Sequence, residues 1–151
     1  MLNCLGVAIE QLLSEDVAAA SALENGATPY PWTEGALRDS LQAGHCCRQV
    51  RCSETITGYG VMLSAGIESQ LLNLAVGIQW QRRGIGGALI ESLLGEAAAN
   101  GAAECHLEVR ASNLVAQHLY SRHGFAPIGR RKDYYAAGSA REDGILMRAY
   151  L

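Results

Sequence analysis

Gln81-Arg82-Arg83-Gly84-Ile85-Gly86-Gly87 is a basic, glycine-rich turn set between a strand-like run and a helical one. Upstream, residues 68–76 have the apolar content of a strand. Downstream, Ile85, Leu89 and Leu93 recur at i, i+4 and i+8 and mark a helix ending at Asn100-Gly101. A strand, such a turn and a helix form a device for holding anionic phosphate. The first N–H groups of a helix lack intrahelical partners, and glycine lets a ligand approach the backbone closely. Arg82 and Arg83 stand at the helix start, where the dipole disfavours cations unless an anion is bound. No Lys-Ser/Thr pair follows the glycines, which excludes a P-loop, and the Gly-x-Gly-x-x-Gly spacing of a dinucleotide-binding turn is absent. A plain flexible helix start is the competing reading.

Outward from this turn, the strand-like segments 46–52, 55–64 and 68–76 are separated by short polar or glycine turns and suggest an antiparallel meander. Before them, Val7 to Leu12 is a short apolar opening, and Ser14-Glu15-Asp16 resembles the capped start of a helix that Asn25-Gly26 ends. Pro29-Tyr30-Pro31-Trp32 is a stiff loop, and Thr33 caps a second helix to about Ala43. After the glycine turn and its helix, the strand 105–110 places Cys105, Leu107 and Val109 on one face and His106, Glu108 and Arg110 on the other. Asn113 starts a helix ending at His123-Gly124. Strands at 125–131 and 145–150 close the chain, joined by a long loop that holds Tyr134 and Tyr135. The resulting order, β-α-α-β-β-β-α-β-α-β-β, describes an α/β (α+β) mixed-sheet fold, with 1–151 expected to form one domain.

The 151 residues match the size of one domain able to bury a core unaided. With 49% hydrophobic and 18% charged residues, the chain is too apolar for disorder and lacks the uncharged run of about 20 residues that a membrane span needs. A net charge of −3, from 12 basic and 15 acidic residues, leaves no broad footprint for nucleic acid or an acidic membrane. Of the five cysteines, Cys4, Cys46, Cys47, Cys52 and Cys105, three are candidate metal ligands with His45, but Cys46, Cys47 and Cys52 match no two-residue-gap zinc pattern, and all five are expected to be reduced, structural thiols. No metal is expected, and His118 and His123, five apart on a short helix, receive no role. The absence of a signal-like N-terminus leads to an expected cytoplasmic location.

The segment 81–86 resembles the Gln/Arg-x-x-Gly-x-Gly/Ala signature of the GNAT-superfamily N-acetyltransferases. Leu72-Asn73-Leu74-Ala75-Val76 precedes it at that family's spacing. Leu107-Glu108-Val109-Arg110-Ala111-Ser112-Asn113, Leu119-Tyr120 and Gly124-Phe125 follow. Pro29-Tyr30-Pro31-Trp32, Gly129-Arg130-Arg131-Lys132-Asp133-Tyr134-Tyr135 and Arg141-Glu142-Asp143 narrow the likeness to the RimI-like, ribosomal-protein alanine N-acetyltransferase branch, over about residues 29 to 148. The resemblance implies the GNAT acyl-CoA N-acyltransferase fold and acetyl-CoA as cosubstrate. It also implies pairing of the pantetheine arm with the backbone of Leu74, Ala75 and Val76, and a phosphate cradle from Arg82, Arg83, Gly84, Ile85, Gly86 and Gly87. Asn113 would be a further cofactor contact, Glu108 the general base and Tyr120 the general acid. Trp32, Tyr134, Tyr135 and Arg141 would lie beside the acceptor groove. Gly77 stands where relatives often carry Asp, and Gly87 where they often carry Arg or Lys, which implies one charged cofactor contact fewer.

Acetyl transfer from a thioester needs a neutral amine and a departing thiolate, so one group accepts a proton and another donates one. At pH 7, deprotonation costs about 1 kcal/mol for an α-amine and nearly 5 for a lysine ammonium, so a carboxylate base suits the α-amine better. Each residue has an ordinary reading as well. Glu108 could be a strand carboxylate paired with Arg110, Tyr120 a packed helix tyrosine and Asn113 a helix cap. The parity of 105–110 sets Cys105 on the face opposite Glu108, which argues for direct transfer without an acyl-enzyme. The expected acceptor is a protein N-terminal peptide, most specifically the alanine of ribosomal protein eighteen of the small subunit. The chain would act as a monomer or weak oligomer, with no nucleic acid or membrane partner. Transfer to lysine, a polyamine or another small amine is the rival activity, and a non-catalytic acyl-CoA-binding module is the rival class.

Overall fold

A computed structural model of the chain describes residues 7–151. The elements are β1 (Val7–Gln11), α1 (Val17–Ala27), α2 (Glu34–Gln42), β2 (Cys46–Cys52), β3 (Thr55–Ala65), β4 (Glu68–Val76), α3 (Ile85–Ala99), β5 (Glu104–Arg110), α4 (Leu114–Arg122), β6 (Ala126–Ala137) and β7 (Ala140–Tyr150). The order is the expected one. The strands form one sheet, β1-β2-β3-β4-β5-β7-β6. Among the described residues only β4 and β5 run parallel, because α3 carries the chain back between them.

Strand alternation divides the core into two layers. Tyr59 and Val61 of β3 face α1 and α2, where they join Leu12, Val17, Ala20 and Leu37. Gly58 and Gly60 face α3, whose Ile85, Leu89, Ile90 and Leu93 are buried. A Cβ on Gly58 would lie 3.0 Å from the Ala75 carbonyl oxygen and 3.0 Å from Ile85 Cγ2, so β3 and α3 approach closely only because this position has no side chain. Gly58→Val is therefore expected to destabilise the protein by about 1–3 kcal/mol through overpacking. Gly95 is exposed within α3 with open space around it, and Gly95→Ala is expected to stabilise by about 0.5–1 kcal/mol. Thermal unfolding checks both, with each kcal/mol moving Tm by about 2–4 °C.

Three local expectations are corrected. Ser14 is not a cap: Ser14–Asp16 is a single 3-10 turn, and the Asp16 carboxylate accepts a hydrogen bond from the Leu13 N–H at 2.9 Å. Gly26 does not stop α1, which continues to Ala27. Tyr134 and Tyr135 lie in β6, not in a loop, because β6 and β7 form a long hairpin around Gly138, with bulges between Pro127 and Gly129 and between Arg131 and Tyr135. The second bulge is held from β7. The Asp143 carboxylate accepts the Asp133 N–H at 2.9 Å, and Arg141 donates to the Asp133 and Tyr134 carbonyls at 2.8 and 2.9 Å. The Asp133 N–H and then Arg130 hold the Asp143 carboxyl below its ordinary pKa.

Cys46, Cys47 and Cys105 are free, but Cys52, at the outer end of the β1–β2 ladder, is disulfide-bonded, which corrects the expectation of reduced thiols throughout. Cys4 lies outside the described residues. No helix among the described residues is long and apolar enough to cross a membrane.

Candidate active site

The sheet is split beside its parallel step. β4 and β5 pair only over Glu68–Gln70 and Glu104–His106, although β4 continues to Val76 and β5 to Arg110. Beyond that point β4 stays paired with β3, and β5 with β7, so their facing edges carry backbone groups with no ladder between them. Leu74, Ala75 and Val76 lie along one lip of this gap. The Val76 carbonyl already accepts a hydrogen bond from Gln81 Nε2 at 3.1 Å.

The glycine turn lies at the open end of the gap. α2 is capped by Thr33, whose hydroxyl accepts from the Ala36 N–H at 3.0 Å, and α4 by Asn113, whose side chain accepts from the Ala116 N–H at 3.2 Å. α3 begins instead at Gly84, which has φ +84° and no side chain to cap with. The first bond into its carbonyl comes from Ala88, leaving the N–H groups of Ile85, Gly86 and Gly87 without helical partners. Arg82 is held at φ +63°, a strained conformation for a residue with a side chain, and Arg83 lies 5.2 Å over the Trp80 ring. Neither arginine joins a salt bridge among the described residues. These features fit a pyrophosphate and a pantetheine arm: unpaired N–H donors and two cations at one end, and an open strand edge leading away.

The neighbours of the two departing glycines explain them. A side chain at Gly77 would meet Leu23 and Trp80, each at 3.2 Å, and one at Gly87 would meet His123 Nε2 at 3.0 Å. Both places are already filled. Asn113 caps α4, so its ordinary reading is realised in the structure, and no other side-chain role for it is seen.

At the other lip, β5 alternates as expected, with Cys105, Leu107 and Val109 buried and Glu108 and Arg110 on the opposite face. Glu108 is not paired with Arg110: its Oε1 accepts from Arg131 Nε of β6 at 3.1 Å, while Arg110 binds Glu142 at 3.2 Å. The hairpin lies directly beside β5 and supplies both partners, so the within-strand pair does not form. Glu108 and Arg131 also line a groove of about 370 Å³ with Gln70 and His106.

Tyr120 is buried edge-on against Phe125, with ring centroids 5.9 Å apart. Its hydroxyl has no hydrogen-bond partner among the described residues, yet it is not an enclosed orphan. Burial, and then the neighbouring Tyr135, push its pKa up to about 12. Tyr135 is likewise pushed up to about 12 by burial, then by Glu108 and Tyr134, against the pull of Arg110. The Glu108 carboxylate raises the pKa of the Tyr134 hydroxyl too. Tyr135 of β6 thus neighbours Tyr120 of α4 on one side and Glu108 of β5 on the other, with Tyr134 against its ring. Trp32 packs into the α1–α2 core with Leu41 and Leu72, and Arg141 braces the β6 bulge rather than facing the cluster.

Three residues in contact with this group were not named as site residues by sequence reasoning, Tyr30, Arg110 and Arg131, and elsewhere a buried carboxylate, Glu24, ties α1 to the sheet. Glu24 accepts from the Tyr59 hydroxyl and, at 2.9 Å, from Asn73 Nδ2. Asn73 of the family-like strand thus fastens α1 to the sheet. Among the described residues, no group of three or more His, Cys, Asp or Glu is arranged to hold a metal ion.

Comparison with known proteins agrees with this geometry. The sequence pattern of the acetyltransferase (GNAT) family matches residues 15–125. The chain is 34% identical over 139 residues to the ribosomal protein bS18-alanine N-acetyltransferase of Escherichia coli K12, covering 92% of this chain and 94% of that protein. It is 31% identical over 144 residues to the protein of the same name from Haemophilus ducreyi, covering 95% and 99%. The crystal structure of the ribosomal-protein-S18-alanine N-acetyltransferase from Escherichia coli superposes with a TM-score of 0.90 at 32% identity, over 96% of this chain and 94% of that one. A split sheet, an uncapped glycine turn at its mouth and a match over most of the sequence lead to one assignment: the chain belongs to the acetyltransferase (GNAT) family.

Proposed function

We infer that this acetyl-CoA-dependent N-acetyltransferase acetylates a protein N-terminal α-amine, with the N-terminal alanine of ribosomal protein bS18 as its acceptor. The observation that carries the reading is the run of neighbours from Tyr120 through Tyr135 to Glu108, with Glu108 on the strand that borders the β4–β5 gap. Acetyl-CoA supplies an acetyl group already activated as a thioester. In this reading the backbone of Leu74, Ala75 and Val76 aligns its arm, while Arg82, Arg83 and the N–H groups of 85–87 hold its phosphates. Asn113 borders the same site.

Glu108 takes the proton from the attacking amine, directly or through water. Its partner Arg131 has a half-exposed side chain, and an ion pair so placed is worth about 1 kcal/mol or less. An arriving α-ammonium can displace it at little cost. Tyr120, protonated at every physiological pH, hydrogen-bonds the departing sulfur. With a pKa near 12 against about 8.5 for a thiol, it acts in concert with bond breaking rather than by prior ionisation. Tyr134 and Tyr135 border the acceptor, with Trp32 and Arg141 supporting the loop and hairpin around it. The single sheet shared by the seven strands of the described residues supports one catalytic domain. A monomeric or weakly associated state and a cytoplasmic location, where acetyl-CoA and new ribosomal protein meet, belong to the same reading.

The test offers acetyl-CoA with an Ala-starting peptide that also contains lysine, in free and N-terminally blocked forms. Product is expected from the free peptide alone, with mass spectrometry placing the acetyl group on the α-amine. Acetylation of the blocked peptide would transfer the assignment to lysine. Cofactor binding without product across peptides and polyamines would favour a binding module.

A further inference from the structure

Arg110 lies two residues beyond Glu108 on the same face of β5, and its contacts reach two separate parts of the chain. Its guanidinium carbon lies 3.4 Å from the ring centroid of Tyr30, in the loop between α1 and α2, and 4.6 Å from that of Tyr135, in β6. The Nη1 group donates to the Ala136 carbonyl at 2.7 Å and to Glu142 Oε1 at 3.2 Å. The same Glu142 oxygen accepts from the Ser112 hydroxyl at 3.1 Å. The side chain is largely buried, at 18% exposure, although a guanidinium is costly to desolvate without full pairing. A cation lying over two rings while it also binds a carboxylate and a carbonyl suits the broad, delocalised guanidinium of Arg better than the compact ammonium of Lys.

We propose that Arg110 is a positioning residue that clasps the α1–α2 loop to the β6–β7 hairpin and so sets the acceptor groove beside Glu108. It acts through the two rings: Tyr30 is held on one wall, and Tyr135, next to Glu108 and Tyr120, on the other. Acceptor binding depends on this clasp. Cofactor binding, at the β4 edge and the α3 turn, does not. The proposal rests on the peptide-acetyltransferase reading above, and its test has one arm that needs no turnover.

Arg110→Gln, Arg110→Lys and Tyr30→Leu are compared with the parent protein. Tyr30 is exposed and in a loop, so its variant keeps the test open if loss of Arg110 impairs folding. In the kinetic arm, Arg110→Gln is expected to raise KM for an Ala-starting peptide about 10-fold, with KM for acetyl-CoA within about twofold, since misplaced walls weaken alignment of the acceptor. Arg110→Lys should recover only part of the loss, and combining Tyr30→Leu with Arg110→Lys should cost less than the sum of the two. In the exchange arm, Arg110→Gln should speed hydrogen exchange in 28–33 and 134–142 together while leaving 81–90 unchanged. Full recovery by Lys, equal changes in both KM values, or exchange that rises in only one wall would overturn the clasp. If the parent protein does not turn over the peptide, the functional reading fails, and the exchange arm alone decides whether the walls are joined.

Discussion

Glu108→Gln is expected to lower kcat for an Ala-starting peptide by about 10²-fold or more at pH 7, the usual range for loss of a placed general base. KM for acetyl-CoA should change little, because Glu108 faces the groove side of β5 and the proposed cofactor contacts lie on β4 and α3. The deficit has a pH signature. An α-amine titrates at about 7.7–8.0, so above that range the acceptor arrives already neutral and needs the carboxylate less. The ratio of parent to variant rates should therefore shrink as pH rises from 7 to 9. A constant ratio would mean that Glu108 serves placement rather than proton removal. An unchanged rate would remove it from the mechanism. The substitution also frees Arg131, which is exposed enough to remain solvated, so the fold should tolerate the change.

Tyr120→Phe should reduce kcat by about 10–10²-fold while leaving Tm nearly unchanged. The second half follows from the surroundings of the hydroxyl. It has no hydrogen-bond partner among the described residues, so its removal leaves none of them with a buried group unpaired, and the ring keeps its contact with Phe125. Because burial and then Tyr135 push Tyr120 up to about 12, the parent enzyme should show no loss of rate from its ionisation between pH 7 and about 11. An alkaline fall centred near 10, absent from the Phe variant, would show that the hydroxyl is not in the buried setting described. Parent-level turnover in Tyr120→Phe would leave the leaving group without help from this residue.

The sequence was most informative where its signals are local. Helix periodicity with glycine stops placed α3 and α4, Thr33 and Asn113 capped their helices, and alternation in β5 assigned Glu108 to the face opposite Cys105. Even local signals failed where a side chain had a better partner. Asp16 took the N-terminal bond expected of Ser14, and it also binds Gln49 and Arg51 from β2, which no window around residue 14 contains. The hairpin was misread because Lys132-Asp133-Tyr134 looks like loop sequence. Its strand character depends on Asp143 and Arg141 arriving from β7 to hold the bulge. The partners of Glu108 and Arg110 were equally out of reach. Two arginines and two carboxylates permit several pairings, and the choice was made by a hairpin more than 20 residues away in sequence. The family likeness named Glu108 and Tyr120 but gave no sign that Arg110 would lie against both Tyr30 and Tyr135.

The split between β4 and β5 has one more consequence. An unpaired strand edge at the border of a sheet invites other chains to pair with it and so promotes aggregation. Here two such edges lie in the interior of the sheet order, between β3 and β7, with α3 against the adjoining strands. A second polypeptide would have to enter between strands that already close together at Gln70 and His106. A slender extended arm would not. Under the proposed function the open edges serve a narrow cofactor arm, and their interior place in the sheet order keeps them away from the border strands, where edge-to-edge pairing starts.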